Sequence, residues 1–317
     1  PGPEGRAMSA DADLERQSRE TIRKGSKSFA AAAALFDAAT RADAEMLYAW
    51  CRHCDDVIDG QALGHGMEAP SPDAAKPALD ALYAKTRAAL AGEPTDDPDF
   101  AAFQRVALRR RIPERYPLEL LDGFAMDVAG RRYATLEETL DYCWHVAGVV
   151  GAMMAIVMGV DADDVPTLRR AQDLGLAFQL TNIARDVIED AGAGRIYLPA
   201  DWLAEAGVPE ARIADPANRT ALYGVVERLL DAAEPYYASA LAGLPALPFR
   251  SAWAIAAARG VYRQIGVVVR QRGAAAWDER ASASGAMKAW LALAAGWTAL
   301  ASRGARVAPR QSLWSKI

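Results

Sequence analysis

Residues 176–190 read LAFQLTNIARDVIED, and four polar residues recur there at the spacing of one helix face. They are Gln179, Asn182, Asp186 and Asp190. Intervals of three, four and four residues place them one above another on successive helical turns. A polar stripe within so apolar a segment faces the interior only where it lines a wet or metal-filled cavity. The alternative is a solvated surface, which is the ordinary interpretation of any single stripe.

A second acidic cluster, Asp-Asp-Val-Ile-Asp at residues 55–59, repeats the carboxylate spacing far away in the chain. Asp55 and Asp59 share one helix face, where like charges weaken a helix by a few tenths of a kcal/mol per pair. An arginine lies close to each cluster, at Arg52 and Arg185. Two such unfavourable pairs indicate that the aspartates have a functional role and do not simply lie on a solvated surface. The expected ligand is Mg²⁺, with Mn²⁺ as the alternative, because such ions take carboxylates together with substrate phosphate.

The composition indicates an all-α protein. The chain of 317 residues is 52% hydrophobic and rich in alanine and leucine, which are strong helix formers. Strand-like alternation bounded by turn residues is hard to find. The formal charge of −5, with dispersed basic residues, argues against nucleic acid as a partner. Three cysteines are too few for a disulfide framework, and we expect Cys51 and Cys54 to be small buried residues.

Apolar periodicity and capping signals predict ten helices. These span residues 15–35, 41–58, 74–91, 98–110, 117–128, 136–158, 166–190, 217–241, 250–273 and 284–302. Because no linker interrupts the chain, residues 15–303 are expected to form one domain, between a flexible tail at 1–14 and a loosely ordered tail at 304–317. The glycine- and proline-rich segment 60–73 is predicted to be a loop, either a lid over a bound substrate or a plain connector. Pro235 should kink or end its helix.

The longest apolar run extends from Val146 to Val160. Its fifteen residues fall short of the ~20 that a membrane-spanning helix needs, so the run is interpreted as a buried helix. Small residues such as Gly148 and Gly151 would allow close approach of a substrate or of a neighbouring helix.

Four parts of the chain are similar to a known family. They are KGSKSF at residues 24–29, YAWCR at 48–52 leading into the first acidic cluster, YCWHVAGVVG at 142–151, and QLTNIARDVIED at 179–190 followed by RIYLP at 195–199. On these motifs the chain resembles the squalene and phytoene synthase family from about Lys24 to about Arg280.

The resemblance implies an all-α, isoprenoid-synthase-type, single-domain helical bundle with a central active-site cavity. The two aspartate pairs would face each other across its mouth and hold Mg²⁺ against substrate diphosphates. The implied metal ligands are Asp55, Asp59, Asn182, Asp186 and Asp190. The implied substrate-binding residues are Ser26, Ser28, Arg52, Gln179, Arg185, Tyr197, Tyr262 and Arg280. The four aspartates and Tyr48 are the implied catalytic residues.

The family reaction joins two geranylgeranyl diphosphates head to head. A cyclopropyl diphosphate forms first and then rearranges to phytoene with loss of both diphosphates, the first committed step of carotenoid biosynthesis. No nicotinamide is required. Metal ions and arginines would absorb the charge of the leaving diphosphate. Water would quench the cation, so the cavity must be dry, with Val146 to Val160 and Gly148 as a wall. The alternative for this run is ordinary helix packing. The final proton would pass to released diphosphate or to a tyrosine such as Tyr48.

A run of five alanines, residues 30–34, follows the proposed diphosphate contact Ser26. Positions 26, 30 and 33 fall on one helix face, so Ala30 and Ala33 would line the next two turns of the cavity. Alanine there leaves room for a longer isoprenoid tail than phenylalanine or leucine would. The alternative is that the run is simply a good helix former.

A forty-carbon hydrocarbon is nearly insoluble in water, at ~0.8 kcal/mol per methylene, so we expect its release at a membrane. Trp290 and Trp297 share a helix face and are candidates for lipid contact, although core packing is the commoner fate of such tryptophans. The expected location is the cytoplasm, peripherally attached to the inner face of a bacterial membrane, with other carotenoid-pathway enzymes as further partners.

Three other functions stay open. Asp55 to Asp59 also matches the Asp-Asp-x-x-Asp motif of chain-elongating prenyltransferases and terpene cyclases, although Gln179 to Asp190 fits the head-to-head family better. A squalene or dehydrosqualene synthase would use fifteen-carbon farnesyl diphosphate. A non-catalytic homologue could lose its metal ligands freely, whereas this chain retains all four aspartates.

Overall fold

The computed structural model describes the backbone of residues 3–25, 27–60, 72–304 and 306–317, and the side chains from residue 13, except those of 26–29, 61–74 and 305. Every regular element in this part of the chain is helical. The α-helices are α1 (Pro3–Gly25), α2 (Lys27–Ala33), α3 (Ala38–Asp59), α4 (Pro72–Leu90), α5 (Pro98–Arg110), α6 (Arg115–Val128), α7 (Leu136–Cys143), α8 (Val149–Val157), α9 (Val165–Gly192), α10 (Ala200–Glu205), α11 (Arg219–Leu241), α12 (Phe249–Arg272) and α13 (Gly285–Ser302). Ser26, the side chain of Ser28 and most of the predicted loop 60–73 lie outside the described residues.

The all-α prediction is confirmed, and the observed helices coincide closely with the predicted ones. α1 begins at Pro3, within the segment 1–14 predicted to be a tail. That segment contains three alanines, and alanine is a strong helix former. Pro235 lies inside α11, which runs on to Leu241 and so is not ended there. The short helix α10 escaped prediction because six residues give too few turns for a periodic signal.

The two aspartate-bearing helices are fixed in different ways. The side chain of Asp37 accepts a hydrogen bond from the Thr40 amide at 3.0 Å and caps the start of α3. Gly60 ends that helix in the left-handed conformation, at φ 61°. α9 is held by close backbone contact, since an added Cβ at Gly151 or Gly175 would lie 2.4 Å from a carbonyl oxygen across the α8–α9 interface.

α7 and α8 form one continuous helical segment, interrupted by a π-helical turn at Trp144–Gly148. Residues Leu136–Val157 are long and apolar enough to cross a membrane, but 72% of their most apolar window is buried inside the fold. The prediction of a buried helix for this apolar run is therefore confirmed. The segment packs against α9 and α6, and so forms one wall of the interior.

The C-terminal segment 306–317 contains no helix, yet it is held against α9. Arg310 forms two hydrogen bonds, of 2.8 and 2.7 Å, with the fully buried Asp173. Gln172 accepts hydrogen bonds from the amides of Lys316 and Ile317. The sequence predicted a loosely ordered tail here, and these anchors are single polar contacts that produce no periodic pattern in the sequence.

Candidate active site

A cavity of about 590 Å³ lies at the centre of the bundle, and residues from both acidic clusters line it. Its polar wall consists of Tyr48, Arg52, Asp55, Asp59, Asp127, Tyr142, Gln179, Asn182, Arg185, Asp186, Asp190, Arg195, Tyr197 and Tyr262. The helix faces deduced from the two sequence clusters therefore meet across one space. A solvated surface is excluded as the environment of these stripes.

Arginines neutralise three of the four predicted aspartates. Arg52 donates to Asp55 at 2.5 Å, within α3. Asp186 accepts two hydrogen bonds from Arg185, at 2.8 and 2.5 Å, and a third from Arg280 at 3.1 Å. Each of these aspartates thus has a positive charge at contact distance.

Arg195 pairs with the remaining aspartate of the first cluster, Asp59. Arg195 lies just beyond the end of α9, and Asp59 is the last residue of α3. Their side chains are only 18% and 12% exposed, so this ion pair is largely shielded from water. It connects the two aspartate-bearing helices directly.

Three carboxyl groups of the cavity resist ionisation, including Asp55 despite its contact with Arg52. The pKa of Asp190 is raised to about 8, mainly by burial and then by the negative charge of Asp186. Burial also raises the pKa of Asp55 to about 7, against the opposing effect of Arg52. The pKa of Asp127 is raised to about 6 by burial, with Arg195 acting in the opposite direction. The cavity therefore disfavours an unneutralised negative charge at these three carboxyls.

The second cluster has unfilled ligand capacity that fits a divalent cation. The Asn182 Nδ2 donates to Gln179 at 3.3 Å, which leaves Asn182 Oδ1 buried and without a hydrogen-bond partner among the described residues. Asp190 likewise has no ion-pair partner among the residues that the structure describes. An orphaned amide oxygen beside two carboxylates, on successive turns of one helix, forms a donor set of hard oxygen atoms, which Mg²⁺ prefers.

Three residues of the polar wall were not predicted as site residues. Asp127, on α6, accepts hydrogen bonds from the hydroxyls of Tyr142 at 3.0 Å and Tyr197 at 2.9 Å. The rings of these tyrosines stack with centroids 4.6 Å apart. Tyr142 is the second unpredicted residue, and Arg195 is the third. The RIYLP stretch held the only sequence signal for Arg195. Asp127 has no acidic neighbour three or four residues away in its amphipathic helix, so no spacing marked it.

The apolar wall comes from α8, α9, α12 and the end of α2. It includes Val146, Val150, Met154, Leu174, Phe178, Leu247 and Ile255. The Phe178 ring stacks on Tyr262, with centroids 4.1 Å apart, where the apolar and polar walls meet. Such a wall excludes water from one side of the cavity while the other side carries the charged groups.

The other predicted contacts separate into two groups. Ala33 lines the cavity, together with Ala31 and Ala32, whereas Ala30 is absent from the wall. The reason is that α2 ends at Ala33 and only its last turn meets the cavity.

Gly148 also lies outside the wall, because the π-helical turn directs it at Trp144 and Gln172, where an added Cβ would lie 2.7 and 3.5 Å from their side chains. Arg280 reaches Asp186 with a side chain that is 60% exposed, which places it at the rim.

Tyr48 lines the cavity beside Arg52, and burial raises the pKa of its hydroxyl. Burial likewise raises the pKa of Tyr262. Both phenols therefore stay protonated at neutral pH.

Comparison with known proteins agrees with this architecture. A protein named 15-cis-phytoene synthase from Enterobacter agglomerans is 57% identical over 293 residues, which cover 92% of this chain and 98% of that protein. One of the same name from a Paracoccus species is 54% identical over 306 residues, or 96% and 98% of the two chains.

Solved structures show the same fold. A dehydrosqualene synthase superimposes with a TM-score of 0.80 at 25% identity, covering 92% of this chain and 98% of that one. A squalene synthase from Alicyclobacillus acidocaldarius gives 0.71 at 25% identity, with coverage of 82% and 94%. Residues 22–286 match the sequence model named Squalene/phytoene synthase. The chain therefore belongs to the squalene/phytoene synthase family.

Proposed function

We propose that this protein is a phytoene synthase, which condenses two geranylgeranyl diphosphates head to head through a cyclopropyl diphosphate. The observation that carries the proposal is the single cavity with an acidic, arginine-rich wall opposite an apolar one. A prenyl diphosphate has the same division between a charged head and an apolar tail. The relatives named 15-cis-phytoene synthase, at 54–57% identity over nearly the whole chain, support the same substrate.

We propose Mg²⁺ as the cofactor, with Mn²⁺ as a substitute. Asn182, Asp186 and Asp190 would hold it on α9, and Asp55 and Asp59 would do so on α3. When bound, the metal supplies Lewis-acid stabilisation of the leaving diphosphate. The reaction proposed here requires no nicotinamide.

The arginines of the site are suited to the diphosphate itself. Arg52, Arg185 and Arg195 each contact an aspartate that a cation would otherwise neutralise. Their guanidinium groups present several N–H donors in a fixed plane, which matches the oxygens of a phosphate. Binding of a charged head group would therefore let these arginines exchange aspartate oxygens for phosphate oxygens.

The apolar wall protects the carbocation that forms when diphosphate departs. Water in the cavity would capture that cation, and Val146, Val150 and Met154 exclude it from this side. The phenols of Tyr48 and Tyr262 have raised pKa values and remain neutral, so they are weak bases. Released diphosphate is the better acceptor for the final proton, and the tyrosines orient the cation through their ring faces.

A squalene or dehydrosqualene synthase is the second candidate, because the solved structures with TM-scores of 0.80 and 0.71 carry those names. The test incubates the purified full chain and Mg²⁺ with labelled fifteen- or twenty-carbon diphosphate, with and without NADPH. Phytoene from the twenty-carbon substrate alone is the expected result. A C30 product formed preferentially would establish the second candidate, and no product from either substrate would favour a non-catalytic homologue.

A further inference from the structure

The outer side of α13 presents an exposed apolar surface. It consists of Trp290, Leu293, Trp297 and Leu300, which are 62%, 74%, 74% and 55% exposed. Intervals of three, four and three residues place them on one side of the helix, and we call this surface the tryptophan face. Single exposed apolar residues are ordinary, but a contiguous patch of large ones marks an interaction surface. Core packing is the commoner environment of such tryptophans, but Trp290 and Trp297 are exposed.

The inner side of the same helix fixes this orientation. Ala295 and Ala299 are buried against the bundle. The Trp253 Nε1 on α12 donates to the Ala292 carbonyl at 2.7 Å. Gly296 lies against the same indole, where an added Cβ would come within 3.3 Å. α13 therefore cannot rotate to bury its tryptophans without losing this packing.

Positive charge dominates the part of the chain that contains this surface. Residues 235–317 carry eleven basic and two acidic residues. Six of the eleven form ion pairs with carboxylates, which leaves Arg250, Arg259, Lys288, Arg303 and Arg306. Neither α12 nor α13 contains an acidic residue. Arg303 and Arg306 follow the tryptophan face along the sequence, and neither has a carboxylate partner among the residues that the structure describes. Arg303 instead donates to the carbonyls of Pro245 and Leu247.

We propose that the tryptophan face docks on the surface of an anionic lipid bilayer, with α13 lying in the plane of the membrane. Tryptophan is favoured at the boundary between head groups and acyl chains, where its apolar ring and polar N–H are both accommodated. Leu293 and Leu300 would enter the acyl boundary, as in interfacial amphipathic helices. Each arginine or lysine near the surface adds to the attraction to anionic lipid.

A bilayer fits this surface better than a second copy of the chain does. In a twofold-symmetric contact the same patch lies on both partners, so the positive flanks of the two copies would face each other. Such like-charge contacts are unfavourable at an interface. An anionic surface converts the same charges into attraction.

The position of the tryptophan face also gives it a role in product release, and this part of the inference depends on the proposed function. Lys288 and Ala292, on the same helix, belong to the cavity wall. A single helix therefore separates the cavity from the docked membrane. An apolar product that leaves beside α13 would enter lipid without crossing water.

The experiment measures co-flotation of the full chain with vesicles, in the absence of substrate. Vesicles contain either phosphatidylcholine alone or phosphatidylcholine with about 30% phosphatidylglycerol, to provide the anionic surface. The variant is Trp290→Ser combined with Trp297→Ser. The matched control is Leu108→Ser, which removes a 50% exposed apolar side chain from α5, a helix outside the α12–α13 pair. Circular dichroism verifies that all variants are folded.

Wild type should bind the anionic vesicles about ten-fold more strongly than the neutral ones, and the double variant should lose about ten-fold in that binding. Leu108→Ser should bind like wild type. Turnover in detergent micelles, measured separately, should be the same in all three, so failure of the docking and failure of the proposed activity are distinguishable. The proposal is overturned if wild type binds neither vesicle, or if the double variant binds as wild type does. Dimerisation that the double variant abolishes, without vesicle binding, would instead identify a second copy as the occupant.

Discussion

Arg195, just beyond the end of α9, donates a hydrogen bond to Asp59 in the last turn of α3, across 136 residues of sequence. The contact links the two halves of the acidic wall. It also brings one guanidinium near Asp127 and Asp190, whose pKa values it lowers against the larger effect of burial. One arginine therefore limits the repulsion among three carboxylates from three different helices.

We expect Arg195→Gln to destabilise the metal-free protein by about 3 kcal/mol, because it leaves a buried carboxylate without its partner. Urea unfolding in the presence of EDTA measures the effect. The double variant Arg195→Gln with Asp59→Asn should recover most of that stability, since it removes the orphaned charge, but it should not recover turnover. If the two substitutions are additive in stability, the ion pair carries no coupling energy and this interpretation is wrong.

The carboxylates of α9 are expected to be needed for turnover. Asp186→Asn should lower kcat by roughly 100-fold or more, because it weakens the electrostatic stabilisation of the leaving diphosphate. The helical circular dichroism should not change. Glu189→Gln is the matched control, since Glu189 lies on the same helix, is 61% exposed and is absent from the cavity wall. Substantial Mg²⁺-dependent activity in Asp186→Asn would contradict the proposed metal site.

Asp190 should make stability fall as the pH rises. Its pKa is raised to about 8 in the folded protein, chiefly by burial, against about 3.9 in an unfolded chain. Below pH ~4 the Asp190 carboxyl is protonated in both the folded and the unfolded state, so it does not affect the free energy of unfolding. Between pH ~4 and ~8 it ionises in the unfolded state first, so the free energy of unfolding falls as the pH rises. Asp190→Asn should therefore raise Tm above wild type at pH 8 but not at pH 4, in EDTA.

Asp59 differs from Asp190 in having an arginine partner, Arg195. Asp59→Asn loses a buried ion pair and should not stabilise the protein, although relief of helix repulsion alone would predict that it does. Thermal melts of Asp59→Asn and Asp190→Asn at pH 8 compare the two directly. Equal shifts in Tm would show that the arginine contacts have no energetic weight.

The helices and the two polar helix faces could be predicted because both depend on local spacing, whereas the meeting of the two acidic clusters was implied by the family resemblance. An i, i+4 pair of aspartates within an apolar helix indicates a lined cavity without any tertiary information. Asp127 could not be predicted in this way, since its role comes from two tyrosine hydroxyls that only the fold brings to it. Gly148 was misplaced because a π-helical turn changes which residues share a face.

The position of Ala33 in the wall predicts a role in substrate length. Ala33→Phe should reduce use of the twenty-carbon diphosphate and leave fifteen-carbon use unchanged or higher, since the ring fills cavity space that a longer tail requires. Ala34→Phe is the matched control, because Ala34 is exposed and absent from the wall. Competition between the two labelled substrates measures the ratio. An unaltered ratio in Ala33→Phe would show that this wall does not select chain length.

The C-terminal segment should contribute to stability through Arg310. This residue pairs with Asp173, which is fully buried and also accepts a hydrogen bond from Ser239. Arg310→Met leaves that carboxylate underpaired and should cost about 3–5 kcal/mol in urea unfolding.

Lys316→Met is the control, because Lys316 also pairs with an aspartate, Asp141, but its side chain is 43% exposed. An exposed pair of this kind contributes only about 0–1 kcal/mol. Adding Asp173→Asn to Arg310→Met should restore part of the loss, since the buried charge is then absent. If Arg310→Met and Lys316→Met have the same small effect, Asp173 does not depend on Arg310 and the segment is held by its apolar and backbone contacts alone.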